Sequence, residues 1–187
     1  MPFWYRHNLI MLTELQIQNN KSLIESLLRS TGRKGMENVV HYLEENDFFI
    51  IPSSLYRHHN WRGGLAEHSL GVYRIASIKS ACLPRDSIII AGLLHDICKA
   101  SKLYYDEGGN IHERHTHIKG HGYRSVKLLE LCGLELTDDE RRAIRWHMGG
   151  HHAHGDEERA DLDLARQSQL WSVIKSADRT DASGHFM

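Results

Sequence analysis

The chain has 187 residues and a formal net charge of −1, with 41% hydrophobic and 25% charged residues. This composition is typical of an ordinary globular domain with a sizeable core, and it lacks the positive excess by which long nucleic acids are usually bound. Histidine is the unusual component: 15 residues are histidines, which points to metal binding, although one site uses only a few ligands.

The cysteines and the N-terminus indicate in which cellular compartment the protein is expected. Cys82, Cys98 and Cys132 are odd in number and lack the CxxC spacing, which favours a reducing environment without a disulfide framework. The first residues show no charged segment followed by a long apolar one, and no stretch approaches the length of a membrane span. We therefore expect a cytoplasmic protein without a membrane partner.

The first third of the chain is predicted to be largely helical. Apolar residues recur at helical spacing over residues 12–29 and again over residues 36–46, whereas the apolar residues 48–52 are expected to be extended. The glycine pair Gly63-Gly64 predicts a turn. The helix expected to follow it carries His68 in its first turn.

The next predicted helix contains the most informative stretch. It opens at Pro84, and its apolar run over residues 88–99 ends in His95, Asp96 and Lys99. A buried carboxylate costs several kcal/mol unless it is paired or coordinates a cation. A divalent metal ion is the ordinary solution, which raises the question of whether other segments supply further ligands.

The polar segment over residues 101–120 is predicted to be a loop. It is rich in glycine and histidine and longer than most connections in compact domains, a property of functional or mobile loops. It is a candidate lid over a cleft. A helix is predicted to begin at His121, directly after this loop.

Two further helices complete the prediction. Thr137 and Glu140 form a capping-box pattern, and the helix that they open carries His147 near its end. A polar loop is expected over residues 151–163. The last helix carries Asp178 among apolar residues.

The ordered set of histidines and aspartates resembles the HD superfamily of metal-dependent phosphohydrolases. The matching motifs are Gly63-Gly-Leu-Ala-Glu-His68, Leu93-Leu-His-Asp-Ile-Cys-Lys99, Gly120-His121, Arg145-Trp-His147 and Ala177-Asp178. Part of the set is similar to small stand-alone HD hydrolases of bacteria and phages. Residues 56–68 are also similar to the HD part of a bacterial exoribonuclease, although the nucleic-acid-binding barrel of that enzyme is not expected here.

The resemblance implies a metal site and assigns roles to its residues. The implied first-metal ligands are His68, His95, Asp96 and Asp178, with His121 and His147 as the additional pair found in two-metal members. Asp96 would bridge two ions and take part in catalysis, and Lys99 would be a second catalytic residue that binds a phosphate oxygen or stabilises charge in the transition state. The implied cofactors are one or two divalent ions, which for mixed nitrogen and carboxylate ligands are Mn, Fe, Co, Ni or Zn, with Mg also open.

Each of these residues has a simpler interpretation. Any one histidine or aspartate of the set could be a hydrogen-bonded polar group of the core, and His121 could be a first-turn residue that contacts backbone. Lys99 could instead interact with the dipole of its helix. Arg62 and Arg124 could bind substrate phosphate or be surface arginines.

The histidines of the polar loops are expected to be solvated: His112, His115, His117, His151, His152 and His154. His151 or His152 could replace His147 as a ligand, a choice that the sequence leaves open.

The sequence therefore predicts an all-α, HD-type helical bundle of six or seven helices. We expect a single domain over residues 1–187, with a helical lead-in over residues 1–50 and the metal-site core over residues 56–182. The predicted function is hydrolysis of a phosphoester in a small substrate, with a nucleotide favoured. A nuclease or cyclic-nucleotide phosphodiesterase and a non-catalytic, metal-containing regulatory module are the alternatives. Nucleic acid is a less favoured partner, and homo-oligomerisation is left open.

Overall fold

The computed structural model describes residues 12–80, 82–100, 102–113, 120–150 and 153–184. Within these ranges, eight α-helices pack around a main apolar core, and a small antiparallel hairpin lies between the fourth and fifth helices. The helices are α1 (Glu14–Arg29), α2 (Met36–Glu45), α3 (Gly64–Lys79), α4 (Arg85–Leu94), α5 (His121–Leu131), α6 (Asp138–Trp146), α7 (Gly155–Gln167) and α8 (Gln169–Ala182), and the strands are β1 (Leu103–Tyr105) and β2 (Ile111–Glu113). The all-α fold class is confirmed.

Of the two N-terminal helices, α1 packs against α3 and α4, and α2 packs against α1. α1 begins with a capping box, in which the Thr13 hydroxyl accepts from the backbone of Gln16 and the Gln16 side chain accepts from the backbone of Thr13. The prediction that residues 48–52 are extended is wrong. The backbone amides of Ile50 and Ile51 both donate to the carbonyl of Asp47, so this apolar segment folds into a buried turn.

The central element is α4, which packs against α1, α3, α6 and α8. Its residues from Ser87 to Leu94 are all buried, as expected for a helix that is apolar on every side. The prediction of one helix through residue 99 is wrong after residue 94. α4 ends at Leu94, Asp96 leaves the helical conformation with φ −112° and ψ 17°, and a short 3₁₀ turn follows over Ile97–Lys99.

The two predicted polar loops contain regular structure. The described part of residues 101–120 includes the β1–β2 hairpin, in which Tyr104 pairs with His112. Its other residues, Ser101 and 114–119, lie outside the described ranges, as do His151 and His152. The loop predicted over residues 151–163 overlaps α7, which buries only Leu162 and Ala165 and therefore has weak apolar periodicity.

Within the described part of the chain, the helices are too short or too polar to cross a membrane. The predicted capping box of α6 is confirmed, since Thr137 and Glu140 exchange both hydrogen bonds.

Candidate metal centre

The break after α4 places an imidazole and a carboxylate side by side in the core. His95 is fully buried and Asp96 is 4% exposed. The Nδ1 atom of His95 lies 2.9 Å from the carbonyl oxygen of Gly92, so Nδ1 carries a proton and donates it to that carbonyl. The Nε2 atom of His95 is left to face the interior of the site.

Two other helices direct imidazoles to the same point. His147 follows the last turn of α6, and its Nδ1 donates to the Ile144 carbonyl at 2.7 Å. His68, in α3, has its Nδ1 2.6 Å from a carboxylate oxygen of Asp181 in α8. In all three rings Nδ1 is anchored and Nε2 faces the cluster, which is the arrangement that orients histidine for metal ligation.

The first group of potential ligand atoms comes from α3, α8 and the end of α4. His68 Nε2 lies 3.3 Å from His95 Nε2 and 3.3 Å from Asp178 Oδ1, and His95 Nε2 lies 3.9 Å from the same carboxylate oxygen. One ligand atom from each of the three residues lies within 4.8 Å of the other two. These donors fit a divalent transition metal.

Asp96 connects this group to a second one, formed by His95, Asp96 and His147. Its Oδ2 lies 3.6 Å from His95 Nε2, and its Oδ1 lies 3.6 Å from His147 Nε2. Asp96 Oδ1, His147 Nε2 and His121 Nδ1 are buried and have no hydrogen-bond partner among the described residues. Buried polar atoms without a partner are rare, and a cation would satisfy them.

The charge balance of the cluster depends on positive neighbours. Burial would raise the pKa of Asp96, but the Lys99 ammonium and the neighbouring imidazoles hold the pKa well below its usual range. Burial also opposes ionisation of Asp178, yet the hydrogen bond from His68 lowers the pKa of that carboxyl to about 2. Both aspartates are therefore carboxylates near neutral pH.

The histidines of the cluster differ in pKa and therefore in charge. Burial lowers the pKa of His95 to about 4. Burial acts in the same direction on His68, but its hydrogen bonds to Asp178 and Asp181 outweigh burial and raise the pKa to about 9. In the metal-free protein a proton on His68 thus supplies positive charge to the carboxylates, and a divalent ion would displace it.

A cleft of about 640 Å³ opens onto these residues. Lys99 lies at its base, with Nζ 2.6 Å from Asp96 Oδ2 and 3.2 Å from the Ser53 hydroxyl. Four more cationic side chains line the cleft: Arg57, Lys102, Lys175 and Arg179. A pocket lined by carboxylates, imidazoles and several cationic side chains suits a phosphorylated ligand.

Residues 65–183 match the family model of the HD domain. The chain belongs to the HD domain family. The match covers well over half of the chain and includes all six predicted ligands, so the family prediction made from the motifs is confirmed.

Two curated relatives share parts of this HD domain. A 3'-5' exoribonuclease YhaM of Listeria welshimeri is 25% identical over 152 residues, which are 76% of this chain and 46% of the relative. A dihydroneopterin 2',3'-cyclic phosphate phosphodiesterase of Methanocaldococcus jannaschii is 28% identical over 108 residues, 54% of this chain and 43% of the relative. The chain thus spans less than half the length of either relative. No solved structure matches the chain significantly.

The structure brings most of the predicted site residues together, and the two exceptions are Arg62 and Arg124. Lys99 and His121 line the cleft with the aspartates, although His121 lies outside both close ligand groups. Arg62 instead pairs with Glu14 of α1. Neither Arg62 nor Arg124 is among the described residues that line the cleft.

Several residues of the site are absent from the sequence prediction. Asp181 lies three residues after Asp178 in α8, and Lys175 lies three residues before it, so helical spacing places all three near one face. Arg179 follows directly. The loop histidines His58 and His59 contact the ring of His68, with centroids 4.8 and 5.4 Å away, and only the folded loop reveals this contact.

Proposed function

We propose that this HD domain is a metal-dependent phosphohydrolase that cleaves a phosphoester of a nucleotide-sized substrate. The observation that carries the proposal is the pair of buried ligand groups that share His95, the second of which contains Asp96, beside a cleft lined by several cationic side chains. The family match and the two relatives, both phosphoester-cleaving by name, support the same reaction class. We also propose that the chain functions as one domain.

The residues proposed to hold the metal divide by group. His68, His95, Asp96 and Asp178 would hold one ion, and Asp96 would join His121 and His147 in holding a second. Bound divalent ions polarise phosphoryl oxygens and lower the pKa of water. Nitrogen donors favour Mn, Fe, Co, Ni or Zn over Ca.

The chain's own cationic side chains would bind the phosphate and stabilise its charge. Hydrolysis adds a water oxygen to phosphorus and breaks the bond from phosphorus to the leaving oxygen, while negative charge grows on the phosphoryl oxygens. Lys99, at the base of the cleft, would stabilise that charge. Arg57 and Arg179 make no ion pair within the described part of the chain and would orient the rest of the substrate.

The test compares the wild-type chain with Asp96→Asn after loading each with Mn²⁺, Co²⁺ or Ni²⁺. The substrates are nucleoside monophosphates, 2′,3′-cyclic nucleotides and short single-stranded RNA. We expect the wild type to hydrolyse at least one class and Asp96→Asn to be inactive with reduced metal content. Asp163→Asn, an exposed change on α7, is the matched control and should behave as wild type. A wild type that cleaves none of these substrates, or an active Asp96→Asn, would refute the proposal.

A second candidate function, cleavage of single strands from an end, is favoured by a groove on the outer side of α8. This groove of about 530 Å³ shares Lys175 and Arg179 with the cleft, and its described lining holds hydroxyl side chains and Trp171 but no carboxylate. A strand bound in the cleft could continue along it, because cationic grooves follow nucleic-acid backbones.

The groove gives this second function its own test. Ser172 lines the groove but not the cleft, so Ser172→Glu should weaken turnover of a single-stranded oligonucleotide and leave mononucleotide turnover unchanged. The same substitution on α1, Ser26→Glu, serves as the control. Equal effects of Ser172→Glu on both substrates, or on neither, would exclude the groove as a strand-binding path.

A further inference from the structure

We propose that Asp181 is a positioning residue that fixes the ring of His68 for metal binding, and that Gly71 exists as glycine to make room for it. The inference rests on the metal site proposed above. It concerns a residue outside both ligand groups, on the far side of His68 from the other ligands.

The contact between Asp181 and His68 is short and buried. Asp181 Oδ2 lies 2.6 Å from His68 Nδ1, the His68 ring is fully buried, and the Asp181 side chain is 11% exposed. A hydrogen bond from an imidazole to a carboxylate at this distance is charge-assisted and stronger than a neutral one. Because Nδ1 donates to Asp181, Nε2 is the nitrogen that can act as a ligand.

His68 differs from the other two anchored histidines in the source of its anchor. His95 and His147 each donate from Nδ1 to a backbone carbonyl three residues earlier. Those anchors form whenever the local chain folds. The anchor of His68 is a side chain on another helix, so the orientation of this ring depends on how α3 and α8 pack and on residue 181.

Gly71 provides the space in which the Asp181 carboxylate lies. It lies one turn after His68 on α3, and a Cβ at this position would lie 1.8 Å from Asp181 Oδ1. Glycine inside a helix costs roughly 0.5–1 kcal/mol relative to alanine, so a specific packing reason is expected here. His59 completes the surroundings, with Nε2 3.6 Å from Asp181 Oδ2.

Outer carboxylates that accept from a metal-ligating histidine typically change metal affinity about 10–100-fold when removed. We expect this loss for Asp181→Ala, because the ring is then free to rotate or to adopt the other tautomer. Asp181→Asn should be intermediate, since the amide oxygen still accepts from Nδ1 but carries no charge. Gly71→Ala should weaken affinity through displacement of the carboxylate, although Asp181 itself is unchanged.

The experiment measures Co²⁺ binding to the metal-stripped full chain by calorimetry, together with the visible spectrum of bound Co²⁺ and circular dichroism for folding. Thr180→Ala, whose hydroxyl bonds only to the carbonyl of Ser176 in the described structure, is the control on the same helix and should bind as wild type. Folded Asp181→Ala and Asp181→Asn with wild-type Co²⁺ affinity would overturn the inference. If Asp181→Ala does not fold, the nearly isosteric Asp181→Asn decides alone.

This outcome is separable from the failure of the proposed function. A wild type that binds Co²⁺ in an Asp181-dependent way but cleaves no phosphoester would leave the positioning role intact and exclude the enzyme. A wild type that cleaves a phosphoester but whose Co²⁺ affinity is unchanged when Asp181 is replaced would support the enzyme and overturn the positioning role.

Discussion

Lys99 illustrates how the structure separates two explanations for one residue. The alternative to a catalytic role was an interaction with the dipole at the end of its helix. α4 ends at Leu94, however, and the dipole effect falls off within the last turn. The Lys99 ammonium contacts Asp96 and Ser53 instead, in a side chain that is 13% exposed at the base of the cleft.

Lys99→Met should therefore lower activity and spare metal binding. Loss of one preplaced charge or donor for transition-state oxygens typically costs about 10²–10³ in kcat. Metal affinity should stay equal or rise, because Lys99 no longer competes with a cation for the Asp96 carboxylate. Steady-state kinetics on the best substrate and metal analysis of the same sample check both points. Lys34→Met, at an exposed ion pair with Glu135, is the control. Unchanged kcat/KM in Lys99→Met would contradict the role.

At the scale of elements, the approach of α5 to α6 places His121 near the metal site. Gly122 lies at this crossing, and a Cβ on it would lie 2.2 Å from the carbonyl oxygen of Arg145 and 2.4 Å from that of Ile144. The two backbones thus touch directly. His121, the neighbouring residue, and His147, which follows α6, reach the same cleft because of this contact.

Gly122→Ala should push α5 away from α6. Inserting a methyl group into a closed contact typically costs about 1–3 kcal/mol, and His121 should move with its helix. We expect lower stability in urea unfolding, and a weakened second metal equivalent while the first is retained, measured by titration with Mn²⁺. Leu131→Ala, at a residue of α5 that is 85% exposed, should change neither property. Wild-type stability and stoichiometry in Gly122→Ala would show that the contact is not required.

The elements that the sequence predicts correctly are those with a buried apolar stripe or a cap. α1 and α6 have capping boxes, and α4 is apolar on every side. The sequence predicts a loop over the first part of α7 because only two residues of this helix are buried. The sequence does not predict the end of α4, because an apolar run does not reveal where its backbone leaves the helix.

The residues of the candidate site likewise differ in whether the sequence could predict them. The proposed ligands follow from ordered motifs that lie in buried helix ends, so the family resemblance could place them. Asp181 could have been found from its spacing to Asp178 in α8. Arg62 could not have been excluded, since its partner Glu14 is 48 residues away in sequence. These ligand roles stay predictions until the metal is measured.

At the scale of the whole molecule, one buried carboxylate joins distant segments of the chain. Glu140 of α6 is fully buried. It accepts two hydrogen bonds from Arg33, at 2.8 and 3.0 Å, and one from the Ser87 hydroxyl of α4 at 2.7 Å. It also caps α6 through the backbone amide of Thr137. The segment between α1 and α2, the central helix and α6 are thereby held to one group.

Folding stability should consequently depend on the charge of Glu140. Burial opposes its ionisation, but Arg33, Thr137 and Ser87 outweigh burial and lower the pKa of Glu140 below its ordinary value of 4.5. A carboxyl whose pKa is lowered on folding contributes stability that is fully present above the unfolded-state pKa. That contribution is lost as the pH falls through the lower, folded-state pKa. Below that point a protonated Glu140 leaves the Arg33 guanidinium with a weaker partner.

Glu140→Gln removes the charge at every pH and should therefore be the more destabilising where wild-type Glu140 is ionised. Breaking one side of a buried ion pair typically costs about 3–5 kcal/mol, which we expect as the loss of unfolding free energy in urea at pH 7. The difference between the two proteins should shrink as the pH is lowered below 4.5, since Glu140 of the unfolded wild type then binds a proton that the folded protein takes up only at lower pH. Glu135→Gln changes an exposed carboxylate that pairs with Lys34. It should leave the unfolding free energy at pH 7 and its pH dependence near those of the wild type. A constant difference between wild type and Glu140→Gln from pH 7 to pH 3 would mean that the side chain stabilises the fold through its shape and hydrogen bonds rather than through its charge.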